Sequence, residues 1–274
     1  MVIRAAALLA LALGGCTAAA QGERAGPRPT LVSLNPCTDA ILAEVADPQQ
    51  ILAISHYSQR EGASSMDLRT ARRFRAVGDS VEEVIALQPD VVVAGTFMPP
   101  ATRAAFNRLG MRTELVGIAS TVEDSKAQVR ALAALAGHPE RGEALVRRID
   151  AALARSAAHG GRVPAVVWQS GGIVAGEGTL ISRLLDHAGF ENQAASRGMR
   201  QADLMPLERM LADPPRVIFT AGSDGAQEDR MLRHPGLNGL KHTLRAPLDG
   251  SLLYCGGPTI PRALDRLAQV RATL

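Results

Sequence analysis

The side chains with the most distinctive chemistry lie in four loops, each next to a predicted strand. The loops span residues 35–38, 55–60, 168–172 and 253–258. Only 3% of the residues are aromatic, yet both tyrosines, Tyr57 and Tyr254, and the single tryptophan, Trp168, fall in these loops. Aromatic rings beside polar groups at strand ends are typical of a small-molecule binding site. Simple core packing is an equally good interpretation of Trp168.

Motifs that would indicate an enzyme are missing from the sequence. It has no P-loop, no glycine-rich dinucleotide fingerprint opening a helix after a strand, no Gly-x-Ser-x-Gly and no His-Glu-x-x-His. A zinc site needs clustered histidine, cysteine or carboxylate ligands, and the six histidines are scattered along the chain. We therefore predict a binding protein, with no catalytic residue.

The N-terminus has the pattern of an export signal. Arg4 supplies a positive charge, an apolar run covers residues 5–13, and Leu13-Gly-Gly-Cys16 resembles a bacterial lipobox. The run is too short to span a bilayer, which takes roughly 20 apolar residues. The prediction is a lipoprotein-type signal peptide over residues 1–16, lipidation at Cys16 and a flexible tether over residues 17–29. Ordinary cleavage near residues 18–20 is the alternative.

Net charge and cysteine content give information on the binding partner and on possible disulfides. The formal net charge of +3 is too small to indicate a nucleic-acid partner. Cys37 and Cys255 remain after export, and an oxidising compartment permits a disulfide between them. Two unrelated buried thiols fit the sequence as well.

Short apolar runs alternate with helical patterns, which predicts an α/β fold. The predicted strands cover residues 31–34, 51–54, 90–94, 112–116, 163–168 and 217–220. The predicted helices cover residues 38–46, 81–87, 99–109, 180–188 and 258–273. Residues 121–159 carry no strand pattern and predict two helices, the first capped by Thr121 with Asp124 three residues on. The pattern therefore predicts two lobes, at residues 30–120 and 161–274, with a helical connector at 121–160.

An internal repeat supports two related lobes. Residues 81–93 align without gaps with residues 207–219. Both segments have, in order, an apolar residue, a glutamate, a polar residue, two apolar residues, an alanine, a proline and a buried strand. The repeat pairs Glu82 with Glu208. Gene duplication is the interpretation we favour, although many helix–strand units share part of this pattern.

Three segments together resemble a known family. They are Leu31-Val-Ser-Leu-Asn-Pro36, Ile51-Leu-Ala-Ile-Ser-His-Tyr-Ser58, and Gly78 followed by residues 82–93. This pattern is similar to the periplasmic binding proteins of cobalamin and iron-siderophore ABC importers, and the similarity extends over roughly residues 30–272. It implies two Rossmann-like α/β lobes joined by a single long α-helix, with the ligand cleft between the lobes.

The resemblance also implies how the protein docks. In that family, one glutamate on each lobe pairs with arginines of the permease dimer in the inner membrane. The matching positions are Glu82 and Glu208, which the internal repeat already aligns. An ordinary exposed glutamate at a helix start is the alternative, since the helix dipole favours it.

The ligand contacts follow from the same resemblance. Tyr57 falls where cobalamin binders of the family place a ring-contacting tyrosine, but the tryptophans that surround their cleft are missing here. Phe97 and Met199 can supply apolar contacts, and arginines can meet carboxylates or phosphate. The predicted ligand-binding set is Asn35, Pro36, Cys37, His56, Tyr57, Arg60, Phe97, Trp168, Met199, Arg200, Tyr254, Cys255 and Arg262.

Four members of this set can also ligate a metal ion, haem iron or the cobalt of a corrinoid: His56, Tyr57, Cys37 and Cys255. With the implied fold, the two cysteines stand on opposite lips of the cleft, either as a disulfide that bridges the lobes or as thiols that face the ligand. The alternative interpretation of His56 is a polar loop residue that binds no metal or ligand.

These observations predict a periplasmic receptor, anchored through lipidated Cys16, that delivers a corrinoid or related metal chelate to an ABC permease. No covalently bound cofactor is expected. A ferric-siderophore or haem receptor of the same class is the alternative. An enzyme on the same scaffold is a third, for which the sequence offers no catalytic pair.

Overall fold

The computed structural model describes residues 28–78, 80–158, 160–222 and 227–274. The predicted signal peptide, Cys16 and residues 17–27 of the predicted tether lie outside the described residues. The described part has the predicted α/β architecture. It contains two sheets, each accompanied by helices, and a helical connection between them.

The first sheet forms the first lobe. Its strands are all parallel and lie in the order β3-β2-β1-β4-β5. The strands are β1 (Leu31–Ser33), β2 (Ile51–Ser55), β3 (Ala76–Val77), β4 (Val91–Gly95) and β5 (Arg112–Val116). The helices are α1 (Pro36–Val45), α2 (Leu68–Ala71), α3 (Val81–Ile85) and α4 (Pro100–Arg108). All of β1 and the first four residues of β4 are buried, as expected for strands of a parallel sheet that is covered on both faces.

Two helices, α5 (Val122–Leu135) and α6 (Pro139–Ser156), connect the sheets. The Thr121 hydroxyl accepts from the Asp124 backbone N–H, and the Asp124 carboxylate accepts from the Thr121 backbone N–H. Gly137, at a φ of +78°, turns the chain between the helices, and Pro139 occupies the first position of α6. The implied single connecting helix is therefore not confirmed, because α6 is the second arm of a helical pair.

The second sheet forms the second lobe and is mixed, in the order β11-β10-β6-β7-β9 with β8 also paired to β6. Its strands are β6 (Val163–Gln169), β7 (Ile173–Ala175), β8 (Phe190–Asn192), β9 (Gln201–Leu204), β10 (Val217–Ala221) and β11 (Leu244–Pro247). Its helices are α7 (Leu180–His187), α8 (Gln193–Ser196), α9 (Leu207–Ala212) and α10 (Thr259–Arg271). β7 runs antiparallel to both β6 and β9, and the other described strand pairs of this sheet are parallel.

One apolar core runs through both lobes and the connector. It includes Ile41 of α1, Val129 of α5, Ile149 of α6, Val167 of β6 and Leu264 of α10. Among the described residues, no helix combines the length and the apolarity that crossing a bilayer requires. Each lobe also has a smaller apolar cluster of its own, around Val92 in the first lobe and around Trp168 in the second.

The segments aligned by the internal repeat occupy matching places in the two lobes. In the first lobe α3 leads into β4, which lies beside the central strand β1. In the second lobe α9 leads into β10, which lies beside the central strand β6. Each pair of strands is parallel, so the two units also run in the same direction relative to their sheets.

Candidate ligand-binding cleft

The first lobe has a topological switch point between β1 and β4. The chain leaves β1 towards β2 on one side, and β4 lies on the other side, so the loops after β1 and β4 diverge and leave a crevice. A cavity of about 180 Å³ fills this crevice. Its lining includes Asn35, Gly95, Phe97 and Met98. Gly95 is required there, because a Cβ at this position would lie 2.7 Å from the Asn35 amide nitrogen.

Asn35 also starts the first helix of the chain. Its side-chain oxygen accepts from the Cys37 backbone N–H at 2.8 Å, and Pro36 occupies the first helical position. The helix therefore begins at Pro36, two residues before the predicted start. Asn35, Pro36 and Cys37 are partly exposed, and Asn35 and Cys37 line the cavities at this edge of the sheet. Their contact with a ligand stays a prediction.

A 3₁₀ turn after β2, His56–Gln59, carries the two predicted ring residues of this lobe. The His56 and Tyr57 ring centroids are 4.1 Å apart, and the Arg60 guanidinium carbon lies 5.2 Å from the Tyr57 ring centroid. The Tyr57 ring is 42% exposed, whereas the buried Nδ1 of His56 has no hydrogen-bond partner among the described residues. The turn thus leaves the Tyr57 ring partly exposed to solvent, with the Arg60 guanidinium next to it.

Asp39 holds this turn in place from within the protein. The carboxylate is fully buried, and its Oδ2 accepts from the Ser55 backbone N–H at 3.0 Å and from the Ser58 hydroxyl at 2.6 Å. These two bonds flank His56 and Tyr57 in the chain. Burial raises the pKa of Asp39 from 3.8 to about 8, although the hydrogen bonds oppose the rise. At neutral pH the group therefore carries a proton.

We expect Asp39→Asn to flatten the pH dependence of stability. Between pH 4 and 8 folded Asp39 keeps a proton that the unfolded chain releases, so the free energy of unfolding falls as pH rises. One such group contributes about 1.4 kcal/mol for each pH unit. Urea unfolding at pH 5, 6, 7 and 8 measures how the free energy of unfolding changes with pH. The free energy of unfolding of Asp39→Asn, relative to that of the wild type, should rise at each step.

Asp90→Asn is the matched control for this series. Hydrogen bonds from Thr30 hold the pKa of the exposed Asp90 below its ordinary value, so Asp90 is ionised in both states above pH 5. Its replacement should leave the slope between pH 5 and 8 unchanged. Parallel profiles for Asp39→Asn and the wild type would show that Asp39 is ionised in the folded protein.

Cys37 and Cys255 form a disulfide, with their Cα atoms 5.0 Å apart. Sulfur atoms bonded to each other offer no thiolate, so the hypothesis that the cysteines ligate a metal or face the ligand as thiols is wrong for this state. The bond brings Tyr254 to the first lobe. A second, smaller cavity is lined there by Cys37, Phe97, Ile118 and Tyr254, among others.

Two predicted contacts of the second lobe are buried. Trp168 is fully buried in the central strand β6, and its indole N–H donates to the Met205 carbonyl oxygen at 3.1 Å. Met199 is 7% exposed and packs in the same cluster. The prediction that they contact the ligand is therefore corrected, because a strand buried on both faces leaves Trp168 no path to the cleft.

Arg200 and Arg262 are exposed, but in different places. Arg200 directly precedes β9, whose other end, Leu204, pairs with Ile173 beside the loop after β6. Arg200 therefore lies at the end of β9 away from the cleft edge, and the structure does not bring it to the other predicted residues. Arg262 lies in the first turn of α10, with Asp249 at 3.9 Å.

Exposed apolar side chains mark the cleft more clearly than the predicted set does. Phe97 is 79% exposed, Tyr254 61% and Ile118 52%, and these three share the second cavity. Leu204, 64% exposed, lies at the cleft end of β9. Sequence reasoning missed Ile118 and Leu204. The available signal for Ile118 was an apolar residue two positions beyond a predicted strand.

Residues 31–243 match the family model described as "Periplasmic binding protein". The chain belongs to this family. Its members are binding proteins, which agrees with the prediction of a non-enzyme. A search of curated proteins finds no match.

Solved structures of other periplasmic binding proteins share the fold. The periplasmic heme-binding protein RhuT of Roseiflexus sp. RS-1, in apo form, is 20% identical, with a TM-score of 0.72 over 89% of this chain and 97% of that one. A periplasmic heme-binding protein of Pseudomonas aeruginosa is 22% identical, with a TM-score of 0.70 over 88% and 92%. The vitamin B12 binding protein BtuF of Vibrio cholerae is 18% identical, with a TM-score of 0.68 over 90% and 98%.

In this periplasmic binding protein, the two repeat glutamates lie at the cleft edge. Glu82 is in the first turn of α3, five residues after β3 ends. Glu208 is in the first turn of α9, which follows the cleft end of β9. Both are exposed, and neither carboxylate has an ion pair or hydrogen bond within the described part of the chain. Their neighbour Glu83 differs, because it accepts from the Gly78 backbone N–H at 2.6 Å.

The binding protein shows no ready-made metal centre in its described ranges. No group of three or more histidine, cysteine, aspartate or glutamate side chains is placed to hold an ion there. His56 and Tyr57 are the donors nearest the exposed aromatic face of the first lobe.

Proposed function

We propose that this periplasmic binding protein captures a large, flat metal macrocycle, a corrinoid or haem, and delivers it to an ABC permease. The observation that carries the proposal is the set of exposed apolar side chains around the cleft, which are Phe97, Ile118, Leu204 and Tyr254. Soluble proteins seldom leave such residues together in water unless they bind something. Structural neighbours of the same fold bind vitamin B12 or haem, as their names state.

The two walls of the cleft suit the two faces of a planar ligand. Tyr57 and Phe97 stand on the wall of the first lobe, after β2 and β4. Tyr254 and Leu204 stand on the opposite side, before α10 and at the end of β9. The cavity beside Phe97 is only about 180 Å³, below the 300–1,000 Å³ of most ligand pockets. A macrocycle would therefore occupy the open cleft above it.

Charged groups at the rim suit acidic substituents. The Arg60 guanidinium already lies 5.2 Å from the Tyr57 ring centroid, and Arg262 is exposed at the start of α10. Guanidinium groups pair well with carboxylates and phosphate. Haem carries carboxylates and cobalamin carries a phosphate, so both ligands can use these positions.

An axial ligand to the metal is available in the first lobe. The Tyr57 phenol and the His56 imidazole are both donors that iron or cobalt accepts. Since the disulfide removes the two cysteines from the candidates, His56 and Tyr57 are the remaining members of the predicted donor set.

Export and docking complete the proposed role. A lipid anchor at Cys16 would keep the receptor in the periplasm, near the inner-membrane permease. The carboxylates of Glu82 and Glu208, one on each lobe and without an ion pair among the described residues, suit a two-fold partner that carries arginines. The cleft would then open towards the permease.

Replacing Tyr57 with alanine tests the site directly. We expect Tyr57→Ala to raise the dissociation constant for the bound macrocycle about tenfold, because an aromatic stacking contact contributes roughly 0.5–1.5 kcal/mol beyond its buried area. Titrations with haemin and with cyanocobalamin, followed by visible absorption, measure the change. A shifted absorption band in Tyr57→Phe, which keeps the ring, would identify the phenol as an axial ligand.

Leu109→Ala is the matched control. Leu109 is 55% exposed but follows α4 at the opposite edge of the first sheet. Its removal should leave the affinity unchanged. Equal losses in both variants would place the binding surface elsewhere, and an unchanged affinity in Tyr57→Ala would remove Tyr57 from the site.

A further inference from the structure

Tyr254 is exposed, yet both its side chain and its backbone are fixed. Its hydroxyl donates to the Gln169 side-chain oxygen at the end of β6, while 61% of the residue remains accessible. The next residue, Cys255, is covalently bonded to Cys37. An exposed ring would ordinarily sample several rotamers, so two restraints on one tyrosine reduce its freedom before any ligand arrives.

The segment that carries Tyr254 is pinned from three directions. Cys37 lies in the first turn of α1 and belongs to the first lobe. The Ser65 hydroxyl, also from the first lobe, donates to the Cys255 sulfur. The Gly257 backbone N–H donates to the Ser125 hydroxyl of α5 at 2.6 Å, which ties the segment to the connector.

These restraints place Tyr254 opposite the wall of the first lobe. The second cavity is lined by Thr96, Phe97 and Ile118 of the first lobe together with Tyr254 and Cys255 of the second. The position of Tyr254 relative to Phe97 is therefore set by a covalent bond between the two sides. Closure of a hinge is not needed to bring them together.

We infer that the Cys37–Cys255 disulfide is a positioning element of the ligand site, which holds Tyr254 as a preorganised contact for the planar face of the ligand. The inference rests on the proposed function for the ligand itself. Fixing a contact in its bound geometry strengthens binding mainly because less ordering entropy is lost on association. The disulfide therefore acts on affinity through Tyr254 as well as on stability.

A double-mutant cycle in ligand affinity tests the coupling. With the disulfide intact, Tyr254→Ala should weaken macrocycle binding about tenfold. In the C37A/C255A background the same change should cost less than about threefold, because the ring is no longer held. Equal effects in the two backgrounds would overturn the inference, since a disulfide that only stabilises the fold predicts additivity.

Phe97→Ala is the matched control for the cycle. Phe97 lines the same cavity, but it follows β4 and the disulfide does not tether its segment. Its effect on affinity should be the same in both backgrounds. Loss of the Phe97 effect together with the Tyr254 effect would indicate a general collapse of the cleft and would contradict a specific role for the disulfide.

Hydrogen exchange supplies a readout that needs no ligand. In C37A/C255A the amides of residues 253–257 should exchange faster, while those of β4 and β10 keep their protection. Unchanged exchange at 253–257, or equally faster exchange throughout, would overturn the inference. If the intact protein binds neither haemin nor cyanocobalamin, the proposed function fails. The exchange result alone then decides whether the disulfide fixes residues 253–257.

Discussion

The C37A/C255A protein is expected to unfold roughly 10 °C below the wild type. The disulfide joins residues separated by 218 positions, so it closes a loop that contains most of the chain. In the chain-entropy model a loop of that length is worth about 5 kcal/mol at 25 °C. For a protein of this size, that loss corresponds to the stated shift in Tm. Thermal unfolding followed by circular dichroism measures it.

A reducing agent gives the control for this prediction. Reduction of the wild type should reproduce the Tm of C37A/C255A, and the same treatment should leave C37A/C255A itself unchanged. A wild-type Tm that does not respond to reduction and matches that of the variant would mean that the two cysteines are not bonded in the folded protein.

Reversing the charges of Glu82 and Glu208, the two proposed docking residues, is expected to abolish uptake while leaving ligand binding intact. In E82R/E208R, arginines would face the arginines expected on the permease, and close charge pairs at interfaces couple by about 1.5–7 kcal/mol. Delivery should therefore fall at least a hundredfold. Accumulation of labelled ligand in cells measures delivery, and titration of the purified variant measures its affinity.

The control for docking uses the same change of charge at two other positions. Glu114 and Glu191 are exposed, one on each lobe, in β5 and β8. E114R/E191R should transport ligand as the wild type does. Full uptake by E82R/E208R would contradict docking through these glutamates, and equal loss in both double variants would point to overall charge.

Much of the fold was predictable because its signals are local. The central strands are continuous apolar runs, and the Thr121–Asp124 capping box is a short sequence pattern that the structure confirms. The short strands β3, β7, β8, β9 and β11 were missed. Residues of β9 are all exposed and show no alternation, so pairing with β7 alone defines this strand.

The loops around the candidate site could be predicted from the sequence, but the orientation and bonding of their side chains could not. A tryptophan in a central strand can point to the cleft or to the core, and only the packing around Met205 decides for Trp168. The bond between Cys37 and Cys255 depends on an approach across both lobes that the sequence does not encode locally. Asp39 reads as an ordinary first-turn acid until the fold brings Ser55 and Ser58 to it.

The most direct test of the proposed function is an equilibrium titration of the purified protein with cyanocobalamin and with haemin. Visible absorption and calorimetric heat should both be followed, because buried Trp168 is a poor reporter of the cleft. We predict saturable one-to-one binding of at least one macrocycle at about micromolar affinity or tighter. Binding of neither, with saturable binding of a ferric siderophore, would contradict the macrocycle proposal and leave the family assignment standing.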